Sequence, residues 1–284
     1  MNTIIRVMVL SLALVFTSVN AQDFQGIATY KTKRSVDIKL DSTRFNSDQQ
    51  KKMIEMMKKQ FEKTFVLTFN KSESTYKEEE KLDKPQVGMG GDFQVMAIGG
   101  GGGGDIYYKN TKDNRYVNQT DTFGKVFLVK DSLEQRQWKL EPETKYIGEY
   151  LCHKATFFEE VEVTEMRMSD DATDEEMKPK KTKRPKTTTV WYTLQIPINN
   201  GPSDYQGLPG LIMEVDDGDQ TILCSRIVLN PEDKVNIEEP TKGKEVDQEE
   251  YREIMDKKAK EMMERYRPRP GSRDGETIEI RIGG

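Results

Sequence analysis

Two cysteines and one histidine are the residues of this chain best suited to covalent or metal chemistry, and two of the three are neighbours, Cys152 and His153. A Cys–His nucleophile pair must meet within hydrogen-bond reach. The stretch YLCHKATFF reads as a strand, where successive side chains point to opposite faces, so a dyad is not expected. One histidine also falls short of a catalytic zinc site, and no metal is expected. Asp216-Asp217-Gly218-Asp219 has the composition of a calcium loop but lacks its spaced ligands and bidentate Glu. It is better explained as a tight turn. Met53, Met56, Met57, Met255, Met262 and Met263 could offer thioethers to a soft ion. Their helical spacing favours packing by pliable side chains instead. The 49 acidic residues supply many carboxylate pairs for hydrolysis, yet none stands apart from the rest. The expectation is a protein without catalytic residues or cofactor.

Elements that could position a site begin after an apolar leader. Arg6 precedes VMVLSLALVF, and Val19 and Ala21 are the small residues of a cleavage site. Residues 1–21 are therefore expected to be a signal peptide, too short for a membrane anchor, giving an exported chain from Gln22 with no transmembrane segment of its own. Charge is −5 overall and −6 without the leader, which carries one basic residue; this argues against a nucleic-acid binder. In an oxidising compartment Cys152 and Cys224 are expected to form one disulfide, the alternative being two buried thiols.

Residues 22–245 read as one β-rich domain. Gly26–Leu40 is expected to be a strand, and NSDQQKKMIEMMKKQFEK an amphipathic helix with Met53, Ile54, Met57 and Phe61 on one stripe. Thr64–Glu79 returns to a period of two. Two flexible loops are expected, about 84–104, with six consecutive glycines, and 165–186, acidic then basic. Short strands at DIYYKN, RYVNQT, TFGKVFLV and WKLEPE suggest an antiparallel meander. Three longer segments follow, the last a hairpin turning through Asp216-Asp217-Gly218. Residues 246–284 read as a charged helix with Tyr251, Ile254, Met255, Met262 and Tyr266 on one stripe, then a strand in which Ile278, Ile280 and Ile282 alternate. The expected fold is mainly β (α+β), a curved antiparallel sheet or incomplete barrel with one or two packing helices.

Three elements stand in order: Gly148-Glu149-Tyr150-Leu151-Cys152-His153-Lys154-Ala155, then Trp191-Tyr192 with Ile196-Pro197 and Gly201-Pro202, then Gly207-Leu208-Pro209-Gly210-Leu211-Ile212. In this order and spacing the chain resembles the GLPGLI family of exported proteins from Bacteroidetes-type bacteria. The resemblance implies location and fold more than activity. A Trp-Tyr strand, a loop, and a Leu-Pro segment leading to an Asp-Gly hairpin is also similar to the periplasmic lipoprotein-carrier (LolA-like) fold. In that fold helices plug the lipid-binding face of an incomplete barrel.

The hexamer Gly207–Ile212 supplies geometry and no catalytic group. Its glycines allow backbone angles or close approaches that a Cβ blocks, Pro209 fixes φ, and Leu208 and Leu211 can anchor a corner beside the Trp191-Tyr192 strand. Two functions follow as expectations. One is a non-catalytic cell-envelope protein, periplasmic or outer-membrane associated, acting through contacts with an envelope protein or outer-membrane transporter. It expects a filled cavity and an exposed patch on the terminal helix or strand. The other is a carrier of an apolar or lipidated ligand, with Met53, Ile54, Met57 and Phe61 on the ligand face.

Overall fold

The computed structural model describes residues 24–34, 62–79, 104–165 and 180–265. The expected signal peptide, the Met53–Phe61 stripe, the glycine run up to Gly103 and the expected terminal strand lie outside these residues. Among them are twelve strands in one sheet: β1 (Gly26–Arg34), β2 (Lys63–Phe69), β3 (Glu73–Glu78), β4 (Ile106–Asn110), β5 (Arg115–Thr122), β6 (Lys125–Ser132), β7 (Lys139–Ile147), β8 (Tyr150–Glu165), β9 (Lys180–Thr193), β10 (Leu211–Asp216), β11 (Gln220–Leu229) and β12 (Lys244–Val246). One helix follows, α1 (Gln248–Arg265). The strand order is β12-β6-β5-β4-β3-β2-β1-β11-β10-β9-β8-β7. β12 runs parallel to β6 and the other pairings are antiparallel. The sheet is open, with β12 and β7 at its two ends.

Thr64–Glu79 is a hairpin rather than one strand. Asn70 breaks it, because its Oδ1 accepts the backbone N–H groups of Ser72 at 2.9 Å and Glu73 at 2.7 Å. A side chain that pairs two backbone donors locally competes with the ladder and makes a turn. Likewise the segment TFGKVFLV contains a turn, with Phe123 and Gly124 both at positive φ. At the β10–β11 turn, Asp216 accepts from Gly218 N–H and Asp217 from Asp219 and Gln220 N–H. Part of the segment expected as a loop at 165–186 belongs to β9. There Lys180, Lys183 and Lys186 stand opposite Glu165, Glu162 and Glu159 of β8, so the basic residues of that segment meet acidic residues of β8 across the ladder.

Curvature follows from where distant strands meet. β4 and β9 are six strand spacings apart, nearly 30 Å across a flat sheet. Yet side chains of β3 and β4 bond to the segment after β9, which requires the sheet to wrap around it, and Tyr30 of β1 reaches Ile212 O on β10. The main core lies on that inner side and includes Tyr30, Leu67, Phe69, Tyr76, Val190, Leu208, Leu211 and Ile212. Burying such side chains contributes about 1.5–3 kcal/mol each. A smaller cluster of Tyr108, Val117 and Leu128 takes the alternate positions of β4–β6 and is covered by Ile237. Phe127, Val129 and Val246 pack with Tyr251 and Ile254 of α1, which joins the helix to the β6–β12 end of the sheet.

The cysteines correct one expectation: both are free and buried. Cys152 lies on β8 and Cys224 on β11, with β9 and β10 between them in the sheet. Burial pushes the Cys152 thiol up to about 11 and the Cys224 thiol up to about 12. They are inert packing groups, each bonding a carbonyl of its own strand, Tyr150 O and Arg226 O.

Candidate functional site

The inner side of the sheet is occupied by residues 194–210, the connection between β9 and β10. Its conformation is fixed from within by Ile198 N–H to Ile196 O and Asn200 N–H to Ile198 O, two tight turns in succession. Ile196, Ile198 and Leu208 are buried in the core. Asn200 accepts from Ser74 of β3 at 3.3 Å. The Tyr30 hydroxyl of β1 donates to Ile212 O at 2.7 Å.

Gly207-Leu208-Pro209-Gly210-Leu211-Ile212 is the hinge of this arrangement. Gly207 has φ +101, and a Cβ there would lie 3.0 Å from Trp138 Nε1. Gly210 is in ordinary φ space but lies against the backbone of β9. A Cβ on it would sit 2.0 Å from Thr193 O and 2.7 Å from Thr193 C, inside any contact distance. Pro209 is exposed, while Leu208 and Leu211 are buried. Trp191 and Tyr192 pair with Glu214 and Ile212 across a β-bulge. Tyr192 faces the core, and Trp191 carries the Lys145 ammonium 4.4 Å from its ring centre.

Lys109 closes the arrangement. It is fully buried on β4 and donates to Gly201 O at 2.6 Å and Tyr205 O at 3.1 Å. Burial pulls its value down to about 7; Asp204 opposes that fall and Arg136 adds to it. Arg136, in the β6–β7 connection, pairs with Asp204 and with Glu134 at 2.9 Å, and lies over the rings of Tyr205 and Phe157. Trp138 donates to Gln206 O at 2.9 Å, and Gln206 donates to Glu134 O at 2.7 Å. Burial raises the Tyr107 and Tyr205 phenols far above their ordinary range, so both stay neutral.

Chemically this constellation clamps a loop. Lys109, fully buried and held by two carbonyls, braces that loop against β4. Sequence reasoning missed Lys109, Arg136 and Gln206 because none belongs to a spaced motif. The one hint was Lys109 itself, a lysine at an alternate position of an otherwise aromatic strand, DIYYKN. His153 lies beside Tyr192, with ring centres 5.8 Å apart, while Cys152 bonds within its own strand, so the two do not form a dyad. The Asp216–Asp219 turn is balanced by Lys186, 3.1 Å from Asp217 and 3.8 Å from Asp219. Among the described residues no group of His, Cys, Asp and Glu could hold a metal ion. A depression of about 370 Å³ lies at Ile27, Thr68 and residues 231–236, away from the clamp. No helix among the described residues is long and apolar enough to cross a membrane.

A family profile described as "Protein of unknown function (Porph_ging)" matches residues 138–214, from Trp138 through the hexamer into β10. No curated protein matches. Solved structures similar to the chain include two of PNGF-II, in the C2 and P21 space groups. Their identities are 13% and 14%, with TM-scores of 0.46 and 0.47. Each alignment covers 82% of this chain but 33% of the PNGF-II chain, so the chain spans about a third of those proteins. The matched family is an uncharacterised one of Bacteroidetes-type proteins, and its profile spans the clamp's Trp138, Tyr205, Gln206 and Gly207.

Proposed function

We propose that this is an exported, non-catalytic cell-envelope protein of the GLPGLI type that acts through protein contacts, with an outer-membrane transporter or another envelope protein as its partner. The observation that carries this reading is the occupancy of the concave side by the chain's own residues 194–210. A carrier of an apolar or lipidated ligand needs that space. Here Ile196, Ile198, Leu208 and Leu211 fill it, and Lys109 and Arg136 pin the filling in place. What remains for recognition is the outer side and the β7 end, where Leu140 (60%), Tyr146 (71%), Phe158 (64%) and Leu223 (40%) are exposed. Export rests on the leader at residues 1–21, and the net negative charge of the chain disfavours nucleic acid.

A photo-reactive residue at Phe158, in protein expressed with its leader in a Gram-negative host of its own kind, tests this reading. The expected result is a discrete cross-linked envelope protein from position 158, absent from position 71 on the distant β2–β3 turn. Equal and diffuse cross-linking from both positions would contradict it.

A further inference from the structure

β7 is an end strand, bonded among the described residues only to β8, and it leaves Leu140 and Tyr146 exposed. Which of its backbone groups face the open edge follows from β8. Leu151 stands opposite Tyr146, yet its N–H turns away from β7 and donates to Gln195 Oε1 at 2.8 Å. Opposed residues of an antiparallel pair alternate between bonding each other and bonding outward. Tyr146 and, two residues back, Thr144 therefore turn their N–H and C=O groups to the open edge. The side chains alternate as well. Glu141, Glu143 and Lys145 lie on one side, where they reach Thr156, Lys154 and Glu214. Leu140, Pro142, Thr144 and Tyr146 take the other.

An edge of this kind rejects most strands: Pro142 offers no N–H, and the charges at 143 and 145 repel a partner of the wrong pattern. A second copy of β7 has the right one. We infer that β7 pairs antiparallel with β7 of a second copy of this chain, about a two-fold axis at Thr144, so that the sheet continues from one copy into the other. Outward-facing residues must meet outward-facing residues, which leaves few registers over this half of the strand. Tyr146 against the partner's Tyr146 sets Glu143 against the partner's Glu149. Thr144 against the partner's Tyr146 sets Lys145 against the partner's Lys145, and Thr144 against the partner's Pro142 sets Glu143 against the partner's Glu143. Like charges directly opposite are destabilising. Thr144 against the partner's Thr144 sets Glu143 against the partner's Lys145, and the symmetry repeats that pair. The same register lays Tyr146 on the partner's Pro142 with the partner's Leu140 diagonal to it, so both exposed apolar side chains are covered. Thr144 N–H then donates to the partner's Thr144 O and Tyr146 N–H to the partner's Pro142 O, and the absent N–H of Pro142 leaves only Tyr146 O to water. An isologous contact of this kind closes at two copies. It is short, which makes the dimer weak and dependent on concentration. The inference concerns the chain with itself and does not rest on the proposed envelope partner.

Sedimentation equilibrium of the mature protein over a concentration series tests it. The mass is expected to rise from that of one copy toward that of two as the concentration approaches about 100 μM. Thr144→Pro removes an N–H that β8 does not use. It is expected to hold the protein at one copy with its circular dichroism unchanged. Glu143→Lys and Lys145→Glu each set like charges against one another at both symmetric positions, and each is expected to stay a single copy alone. Mixed in equal amounts, the two folded variants are expected to pair one to one, because together they bring opposite charges to both positions. A wild-type protein that remains a single copy throughout the series would overturn the inference. So would a dimer that persists in Thr144→Pro, since another surface would then hold it, or a mixture of the charge variants that fails to pair.

Discussion

Gly210→Ala is expected to lower the melting temperature by about 6–12 °C. The added Cβ would lie 2.0 Å from Thr193 O, and the obstacle is the backbone of a central strand rather than the end of a flexible side chain. Overpacking of this kind costs about 1–3 kcal/mol and sometimes more. At the upper figure, a chain of this size loses about 2–4 °C per kcal/mol. The matched control is Gly104→Ala, where nothing lies within 4 Å and little change is expected. An unchanged melting temperature in Gly210→Ala would remove the steric role of the hexamer. The account of residues 194–210 as a braced filling would fall with it.

The second large effect is on the pH dependence of stability. Lys109 has a folded-state value near 7 against an ordinary value of 10.5. Below pH 7 both states are protonated, and the cost of burying the ammonium is present in full. Between 7 and 10.5 the unfolded chain binds the proton and the folded chain does not, so stability rises with pH. Asp204 and the carbonyls of Gly201 and Tyr205 favour the ammonium and temper the shift, while Arg136 strengthens it. From about pH 9 upward the sign reverses for other groups. The buried thiols, with an ordinary value of 9.0, hold their protons longer when folded. Tyr30, Tyr76, Tyr107 and Tyr205, raised by burial, do the same above pH 10. The clear window is therefore pH 7 to 9, where urea unfolding should show a gain of about 2 kcal/mol. Lys109→Met is expected to flatten that gain. The same slope in both proteins would mean that Lys109 is not the group responsible.

Much of the sheet could be read from residue alternation, because one side of most strands packs against a core. Gly26–Arg34 and the short strands from Ile106 to Ser132 declare themselves this way. The Asn70 turn did not, since Asn70-Lys71-Ser72 interrupts a β-rich run whose two halves have the same period. The hexamer's need for absent side chains at 207 and 210 was legible as a need. Which backbone lay against Gly210 was not, because Thr193 is brought there by strand pairing. The filling of the concave side was hidden for a related reason. Residues 194–210 show apolar anchors in Ile196, Ile198 and Leu208, but their partners Ser74, Lys109, Arg136 and Trp138 come from distant strands and connections. The two cysteines invited a disulfide from their number and expected compartment. Their positions in the sheet, on β8 and β11 with two strands between, leave them as separate buried thiols.

The central proposal is that the chain, its concave side filled by residues 194–210, acts through contacts rather than cargo. Native mass spectrometry of the mature protein purified from a Gram-negative periplasm, with solvent extraction of anything bound, tests it most directly. A mass accounted for by polypeptide alone, with an extract free of stoichiometric lipid, is the predicted result. A discrete apolar mass bound one to one would contradict it and return the inner side of the sheet to the role of a ligand site.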